Sequence, residues 1–351
     1  MCAAYVVLPI FSYMKISVVI PCHNEERSIH ACVDSCLNQT RPFDQILVIN
    51  DGSTDRSGEI LASFGEKIEV LTIPVATGNK SRAQEIGLPH ITGDIFIATD
   101  GDTKLNATFV EYIEKDFEDE TIAAVSGCVK SLPYNWLTAC RAFEYAISHN
   151  FHKLAQSYLS FIFVISGAAG AFRTKVFRDY LRFDHDTITE DLDFTYKLHK
   201  LNFRIGYNRN AICYTQDPTR LSEYCNQMRR WYGGGWQNLK KHYRIVTTKP
   251  IRALEMSLIY IEGTIFSILL FVLPFINLYY TLYFWVGNTV FNVMFAIWFA
   301  TKEKRTDILY VPFIFPLIIY VNAWIFLEQG VKEIILGRKN LVWFQPERRN
   351  I

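Results

Sequence analysis

No CxxC pair occurs in the 351 residues, which argues against a zinc ribbon. Net charge is nearly absent too. The 36 Lys and Arg stand against 35 Asp and Glu, leaving +1 at pH 7. No global field therefore attracts nucleic acid, and an anionic substrate must be held by local groups. No basic segment precedes the apolar stretch at 3–11, which is far shorter than the ~20 residues that span a bilayer. A signal peptide is not expected, and Met14, just ahead of the first strand, is an alternative start to Met1. Between 257 and 300 there is no Lys or Arg, and Glu262 is the single acid. Of the eight cysteines, Cys32 and Cys36 fall on one apolar helix face, so they read as core thiols in a reducing compartment.

What is present is apolar and unevenly spread. Half the residues are hydrophobic and 15% are aromatic, with mean hydropathy +0.08. The excess lies at 255–327, whereas 15–254 has the composition of an ordinary globular domain. Residues 257–300 are long enough for two bilayer crossings, and 308–327 for a third, with Pro312 and Pro316 as possible kinks. The basic loop Lys302–Arg305 and the tail with Lys332, Arg338, Lys339, Arg348 and Arg349 should both be cytoplasmic. One span between them cannot satisfy both, so either the tail breaks the rule or one apolar segment is re-entrant.

Ile16–Ile20 is a β-branched run suited to a strand buried on both faces. A helix follows with Ile29, Cys32, Val33, Cys36 and Leu37 on one face. Gln45–Ile49 is a second strand, about 55–64 a helix, Lys67–Thr72 a third strand and Asp94–Thr99 a fourth. This alternation predicts right-handed βαβ units, a parallel sheet and ligand binding beyond its C-terminal strand ends. PCHNEE (21–26), NDGSTD (50–55) and DGD (100–102) all sit at such ends. A helix at 136–154 carries an apolar stripe from Trp136 to Leu154, with Arg141, Glu144, His149 and Lys153 off it. It either packs on the core or lies at a membrane interface. His149 and His152 read as a solvated pair.

Each motif has a plain structural reading beside a chemical one. DGD is an Asp-Gly turn, or two carboxylates, Asp100 and Asp102, reaching one divalent ion on a diphosphate. NDGSTD is an Asx-turn in which Asp55 caps the next helix, and Asp51 is placed to accept from a base N–H. TED (189–191) puts Glu190 and Asp191 in a helix's first turn, where the dipole favours acids. QMRRW (227–231) either packs a helix end on the core or presents Arg230 to a diphosphate and the flat face of Trp231 to a sugar.

Five such motifs in this order, ahead of an apolar C-terminal region, resemble family 2 inverting glycosyltransferases. The closer likeness is to the membrane synthases of poly-N-acetylglucosamine, chitin and hyaluronan, and SGAAGAFR (166–173) resembles their acceptor-lining segment. Asn50 stands where the family often has Asp, and Gln84-Glu85 replaces a common Leu-Asn. The resemblance implies an α/β fold of the GT-A, Rossmann-like type followed by transmembrane helices. The divisions are 1–14, a catalytic domain at 15–217, an interface segment at 218–254, membrane helices at 255–327 and a basic tail at 328–351.

The resemblance also implies a cell-membrane enzyme with its catalytic domain in the cytoplasm. It would transfer a sugar, with N-acetylhexosamine favoured, from a UDP-sugar with inversion. The acceptor would be a growing polysaccharide or, alternatively, a polyprenyl-phosphate-linked saccharide. Asp191 is the implied base. Pro21, Glu25, Asp51, Lys80, Asp100 and Arg230 would contact the nucleotide sugar. Glu190, Gln227 and Trp231 would meet the acceptor, and Asp102 would hold Mg2+ or Mn2+. Membrane lipids are partners, and nucleic acid is not. A reading from another class, an inactive nucleotide-sugar-binding subunit, requires the base and metal positions to be idle.

Overall fold

A computed structural model describes residues 13–245, 250–339, 341 and 347–350, with backbone alone for 250–257. The apolar stretch 3–11, Met1 and the junction 246–249 lie outside the described residues. Eight strands form one mixed sheet, in the spatial order β3 (Glu69–Ile73), β2 (Gln45–Asp51), β1 (Ile16–Cys22), β4 (Ile95–Ala98), β7 (Gly170–Arg173), β6 (Ile122–Ser131), β8 (Arg204–Thr215) and β5 (Thr103–Leu105). Its first half is the predicted parallel unit: β1 (Ile16–Cys22), β2 (Gln45–Asp51), β3 (Glu69–Ile73) and β4 (Ile95–Ala98). Ser17 pairs with Gln45, and Ile16 with Ile95. β1, β2 and β4 are almost wholly buried, as their unbroken apolar runs require.

The second half departs from the expectation of an all-parallel sheet. β7 (Gly170–Arg173) runs antiparallel to both β4 and β6 (Ile122–Ser131). β8 (Arg204–Thr215) is parallel to β6, and β5 (Thr103–Leu105) is antiparallel to β8. β5 and β7 have three and four residues, too few to show a period. β8 carries Asn208, Arg209 and Asn210 across register shifts opposite β6, which interrupts its apolar pattern.

The Ile29–Leu37 helix buries Ile29, Cys32, Val33 and Cys36, the face read from spacing. The next helix is shorter than expected, Ser57–Ala62, and Asp55 Oδ1 accepts from its Ser57 N–H at 2.9 Å. All seven described cysteines are free thiols, and six are buried.

The segment predicted at 136–154 comprises a Trp136–Ile147 helix, a π turn at Ser148–His152 and a Lys153–Tyr158 helix. Asn135 starts it with a capping box. Its apolar stripe meets the C-terminal helices: Phe143 lies edge-on to Phe299 and Phe315, and Phe151 to Phe295. The polar face turns inward. Arg141, His149 and Lys153 are all buried. His149 is thus not half of a solvated pair. Its Nε2 accepts from the Val129 N–H at 3.2 Å, and burial pushes it well below the usual histidine range.

Three C-terminal helices are long and apolar enough to cross a membrane, through Leu258–Ile276, Leu278–Glu303 and Val311–Ile335. The first two join at Asn277, whose side chain accepts from the Tyr280 N–H, just past Pro274. The helical run is interrupted there, and the Gly287-Asn288 pair that marks the middle of the apolar run lies inside the second helix. The Val311–Gly330 helix packs side-on to the rest of the fold. Val311 and Phe315 lie with Phe143, Asn322 bonds Glu144 at 3.0 Å, and Glu328 pairs with Arg229 at 3.1 Å.

Candidate active site

The loops that end β1, β2 and β4 open on one side of the sheet, where a cavity of about 710 Å³ lies. Pro21, Glu25, Asp51, Lys80, Asp100, Asp102, Glu190, Asp191, Gln227, Arg230 and Trp231 all line it. Every candidate site residue is therefore brought to one place, although more than 200 positions separate Pro21 from Trp231.

Local rules position each group. After β2 the chain turns through Gly52 at φ +59°, and a Cβ there would collide with the Ala76 backbone. The turn brings the 76–79 loop against Asp51, whose carboxylate accepts from Thr77 N–H at 2.8 Å and Thr77 Oγ1–H at 2.7 Å. Asp51 thus orders the loop that leads to Asn79, the N-cap of the Lys80–Gly87 helix. Lys80, first in that helix, reaches Asp100 Oδ1 at 2.5 Å and Glu190 Oε1 at 3.5 Å. Burial alone would lower the Lys80 ammonium, but Asp100 and Glu190 outweigh it and the net shift is upward. Burial likewise opposes ionisation of Asp100, and Lys80 reverses the balance, so its carboxyl lies below the usual range.

Glu190 and Asp191 open the Glu190–Lys200 helix. Asp191 Oδ1 accepts from the Leu192 N–H at 2.8 Å. Burial, with the neighbouring Glu190 charge, pushes the Asp191 carboxyl up to about 6, against the pull of Lys80. Such a group changes protonation near neutral pH, as a general base must.

QMRRW lies within the Leu221–His242 helix rather than at its end. Burial lowers Arg230, and Glu190, Asp100 and Asp191 act against that drop, so it shares their field. Gln227 is buried, and its Oε1 has no hydrogen-bond partner among the described residues. The Trp231 ring is backed by the Arg141 guanidinium, 4.8 Å from its centroid, and Asp217 holds Arg141 at 3.2 Å. One ring face is thus covered by a fixed cation, and Trp231 also lines the cavity.

Sequence reasoning missed four contributors. Arg141 and Lys153 lie off the apolar stripe, where the sequence assigns them no role. Gly234 allows the QMRRW helix to touch the TED turn: a Cβ there would collide with Thr189, and Asn238 donates to the Thr189 hydroxyl at 3.0 Å. Three consecutive helical glycines, Gly233 to Gly235, are the signal that could have shown this close approach, since each costs about 1 kcal/mol relative to Ala. Gly234→Ala should overpack that contact, lowering stability by about 1–3 kcal/mol in a thermal or denaturant melt and displacing Asp191.

The fourth contributor is Arg348, in the tail. Its guanidinium bridges Glu25 at 3.1 Å and Asp102 at 2.5 Å. Burial pushes Glu25 up to about 7 against the pull of Arg348, and it raises Asp102 as well. Among the described residues no three His, Cys, Asp or Glu side chains cluster as a metal site. The donor set still fits a hard cation held by one or two carboxylates and completed by substrate phosphates. Asp102, with Asp100 two residues away, would supply those oxygens.

A family profile described as "Glycosyltransferase like family 2" matches residues 14–234. The poly-beta-1,6-N-acetyl-D-glucosamine synthase of Staphylococcus epidermidis is 27% identical over 231 residues, 65% of this chain and 56% of that protein. The same enzyme of Staphylococcus aureus is 26% identical over an equal length. The match thus spans about half the length of these relatives. Among solved structures, the mannosyltransferase PcManGT from Pyrobaculum calidifontis, in complex with GDP-Man and Mn2+, shares the fold at a TM-score of 0.66 and 20% identity, covering 92% of this chain and 88% of that one.

Proposed function

The chain belongs to the glycosyltransferase-like family 2, and from that premise we propose that it is a membrane-anchored inverting enzyme extending a polysaccharide. The donor is a UDP-sugar, with N-acetylhexosamine favoured by the named activity of the synthases it resembles. One observation carries the reading: carboxylates, cations and an aromatic platform from five distant motifs line one cavity, with Asp191 tuned toward neutrality among them.

In the proposed reaction the acceptor hydroxyl oxygen bonds to the sugar C1 as the C1–O bond to UDP breaks. Asp191 takes the hydroxyl proton, and attack opposite the leaving group gives the β-linkage. Lys80, Arg230 and Arg348 place positive charge where the diphosphate departs. Asp102, helped by Asp100, would hold Mg2+ or Mn2+, which supplies further charge neutralisation to the leaving diphosphate. Trp231, on the cavity wall, offers its ring to the acceptor sugar. Trp231→Ala should raise the acceptor KM about 10-fold or more while donor affinity stays within twofold, since aromatic stacking contributes about 1–3 kcal/mol. Steady-state kinetics against a chitooligosaccharide series checks this.

We place the catalytic part on the cytoplasmic face. The first two apolar helices cross the membrane as a hairpin, and the third lies along the interface. Support comes from contacts at both ends of that third helix. The preceding loop reaches back through Arg305 to the Ser131 carbonyl at 2.7 Å, and its other end pairs Glu333 with Gln237 at 2.9 Å. Both basic segments then share one side, which satisfies the positive-inside rule.

One observation favours a second reading, single addition to a polyprenyl-phosphate-linked saccharide. The cavity extends to Ile259, Tyr260 and Phe326 on the first and third apolar helices, an apolar wall suited to a lipid-anchored acceptor. Purified enzyme in detergent with labelled UDP-sugars separates the two. A ladder of products supports extension, one added unit supports the lipid acceptor, and no transfer from any UDP-sugar defeats both.

A further inference from the structure

Lys153 is buried to 4% exposure, yet no carboxylate lies within ion-pair distance of it among the described residues. It follows the π turn at Ser148–His152, an insertion that often marks a functional position. Its Nζ donates to Ser126 Oγ at 2.6 Å, Ser166 Oγ at 2.9 Å and the Val164 carbonyl at 3.1 Å. Three N–H groups meet three acceptors, so the ammonium is saturated by protein and has no donor left for a ligand. Burial draws Lys153 down to about 8. An uncharged side chain of similar length would pack here at less cost, and a cation kept in such a place points to function.

The consequence falls on Ser166. Its oxygen accepts from Lys153, so its O–H must donate elsewhere. Ser166 lines the cavity, and no protein acceptor for that hydroxyl is in range among the described residues. Ser126 differs, because its hydroxyl reaches the Gly127 carbonyl at 3.4 Å while its oxygen also accepts from Ser166 N–H at 3.3 Å. Next in the chain is Gly167, where a Cβ would stand 3.4 Å from Asp191 Oδ2 and 3.3 Å from Lys80 Nζ. The hydroxyl is therefore one residue from the candidate base.

We infer that Lys153 is a positioning residue for sugar transfer: it pins the 164–167 loop beside Asp191 and sets the Ser166 hydroxyl as a donor to a sugar oxygen, either a hydroxyl or an amide carbonyl. The inference rests on the glycosyltransferase reading. The proposed partner is an uncharged sugar oxygen opposite the hydroxyl, because the ammonium is spent on the protein and offers no charge to an anion. Ser166 is half-buried at the cavity wall, and a site built to donate to such an oxygen discriminates against sugars lacking it, since the hydroxyl then loses its partner.

The test compares Lys153→Met, Ser166→Ala and the double variant with the wild type in full-length protein in detergent. Transfer kcat/KM is measured beside calorimetric UDP-sugar affinity. Each single variant should lose about 10- to 100-fold in kcat/KM, with donor affinity within twofold. The double variant should lose no more than the worse single, because both changes remove one donor. Additive losses, or wild-type kinetics in either single variant, overturn the inference. If Lys153→Met does not fold, Ser166→Ala decides alone: it keeps the ammonium, and unchanged kcat/KM there is fatal. A wild type that transfers no sugar overturns the glycosyltransferase reading itself, and this inference with it.

Discussion

Replacing Asp191 by Asn should lower turnover by on the order of 10³-fold, about 4 kcal/mol of barrier, while fold and donor binding survive. The amide keeps the shape of the carboxyl and can still accept the Leu192 N–H bond that Asp191 Oδ1 makes at 2.8 Å. It cannot take a proton from the acceptor. Stability should not fall. The folded carboxyl titrates near 6, above its ordinary value of 3.8, because burial and Glu190 disfavour its charge. The stabilisation from a neutral Asp191 is therefore fully present below the unfolded value and lost as pH rises through about 6. The substituted amide is neutral at every pH, so the variant should melt at or above the wild-type temperature at pH 7 to 8. The same sign governs rate. Wild-type kcat/KM should fall as pH drops through about 6, because the base becomes protonated. Kinetics, calorimetry with the UDP-sugar and thermal melts check all three. Turnover kept in Asp191→Asn removes the assignment, and so does a loss of donor binding equal to the loss of rate.

Much of this base's setting was legible in the sequence. β1, β2 and β4 are unbroken apolar runs, so their C-terminal loops align from the sequence alone, and with them Glu25, Asp51, Asp100 and Asp102. TED and QMRRW announced themselves by chemistry and order. What stayed hidden has a common physical form. Along the helix that starts at Trp136, a polar face looks the same whether it meets water or a polar cavity. Arg141 and Lys153 therefore stand in the sequence only as residues off the stripe, and His149 as one of a solvated pair, although all three are buried. The antiparallel half of the sheet was unread because β5 and β7 are too short to show a period. Nothing near Arg348 indicates that the chain returns past three apolar helices to the first loop, because that contact is set by tertiary packing alone. The tail's positive charge is legible in the sequence, where it marks a side of the membrane, and only packing makes it part of a site.

Arg348→Ala should weaken UDP-sugar binding by about 10- to 100-fold, the second-largest effect expected. Five carboxylates line this part of the cavity, from Glu25, Asp100, Asp102, Glu190 and Asp191, facing Lys80, Arg230 and Arg348. Lys80 is engaged by Asp100 and Glu190, so Arg348 is the counter-charge for Glu25 and Asp102. Removing it leaves two buried carboxylates beside the place where a diphosphate must enter, and breaking a buried pair in this way typically costs about 3–5 kcal/mol. The tail backbone should remain docked, because Arg349 N–H and carbonyl bond both ends of the Gln216 amide at 2.9 and 3.0 Å. The defect is then one of charge, and its pattern follows. Burial already pushes Glu25 up to about 7, with Arg348 opposing, so without Arg348 it should titrate higher still. Lowering the pH through that range should neutralise Glu25 and restore part of the affinity. Added Mg2+ or Mn2+ should do the same by replacing the lost cation at Asp102. Arg348→Lys should recover part of the binding, since a point charge cannot bridge both carboxylates as a planar fork does. Calorimetry with UDP across pH and metal concentration reads each of these. Tighter metal and UDP binding in Arg348→Ala would reverse the argument, because the guanidinium would then be blocking the carboxylates rather than balancing them.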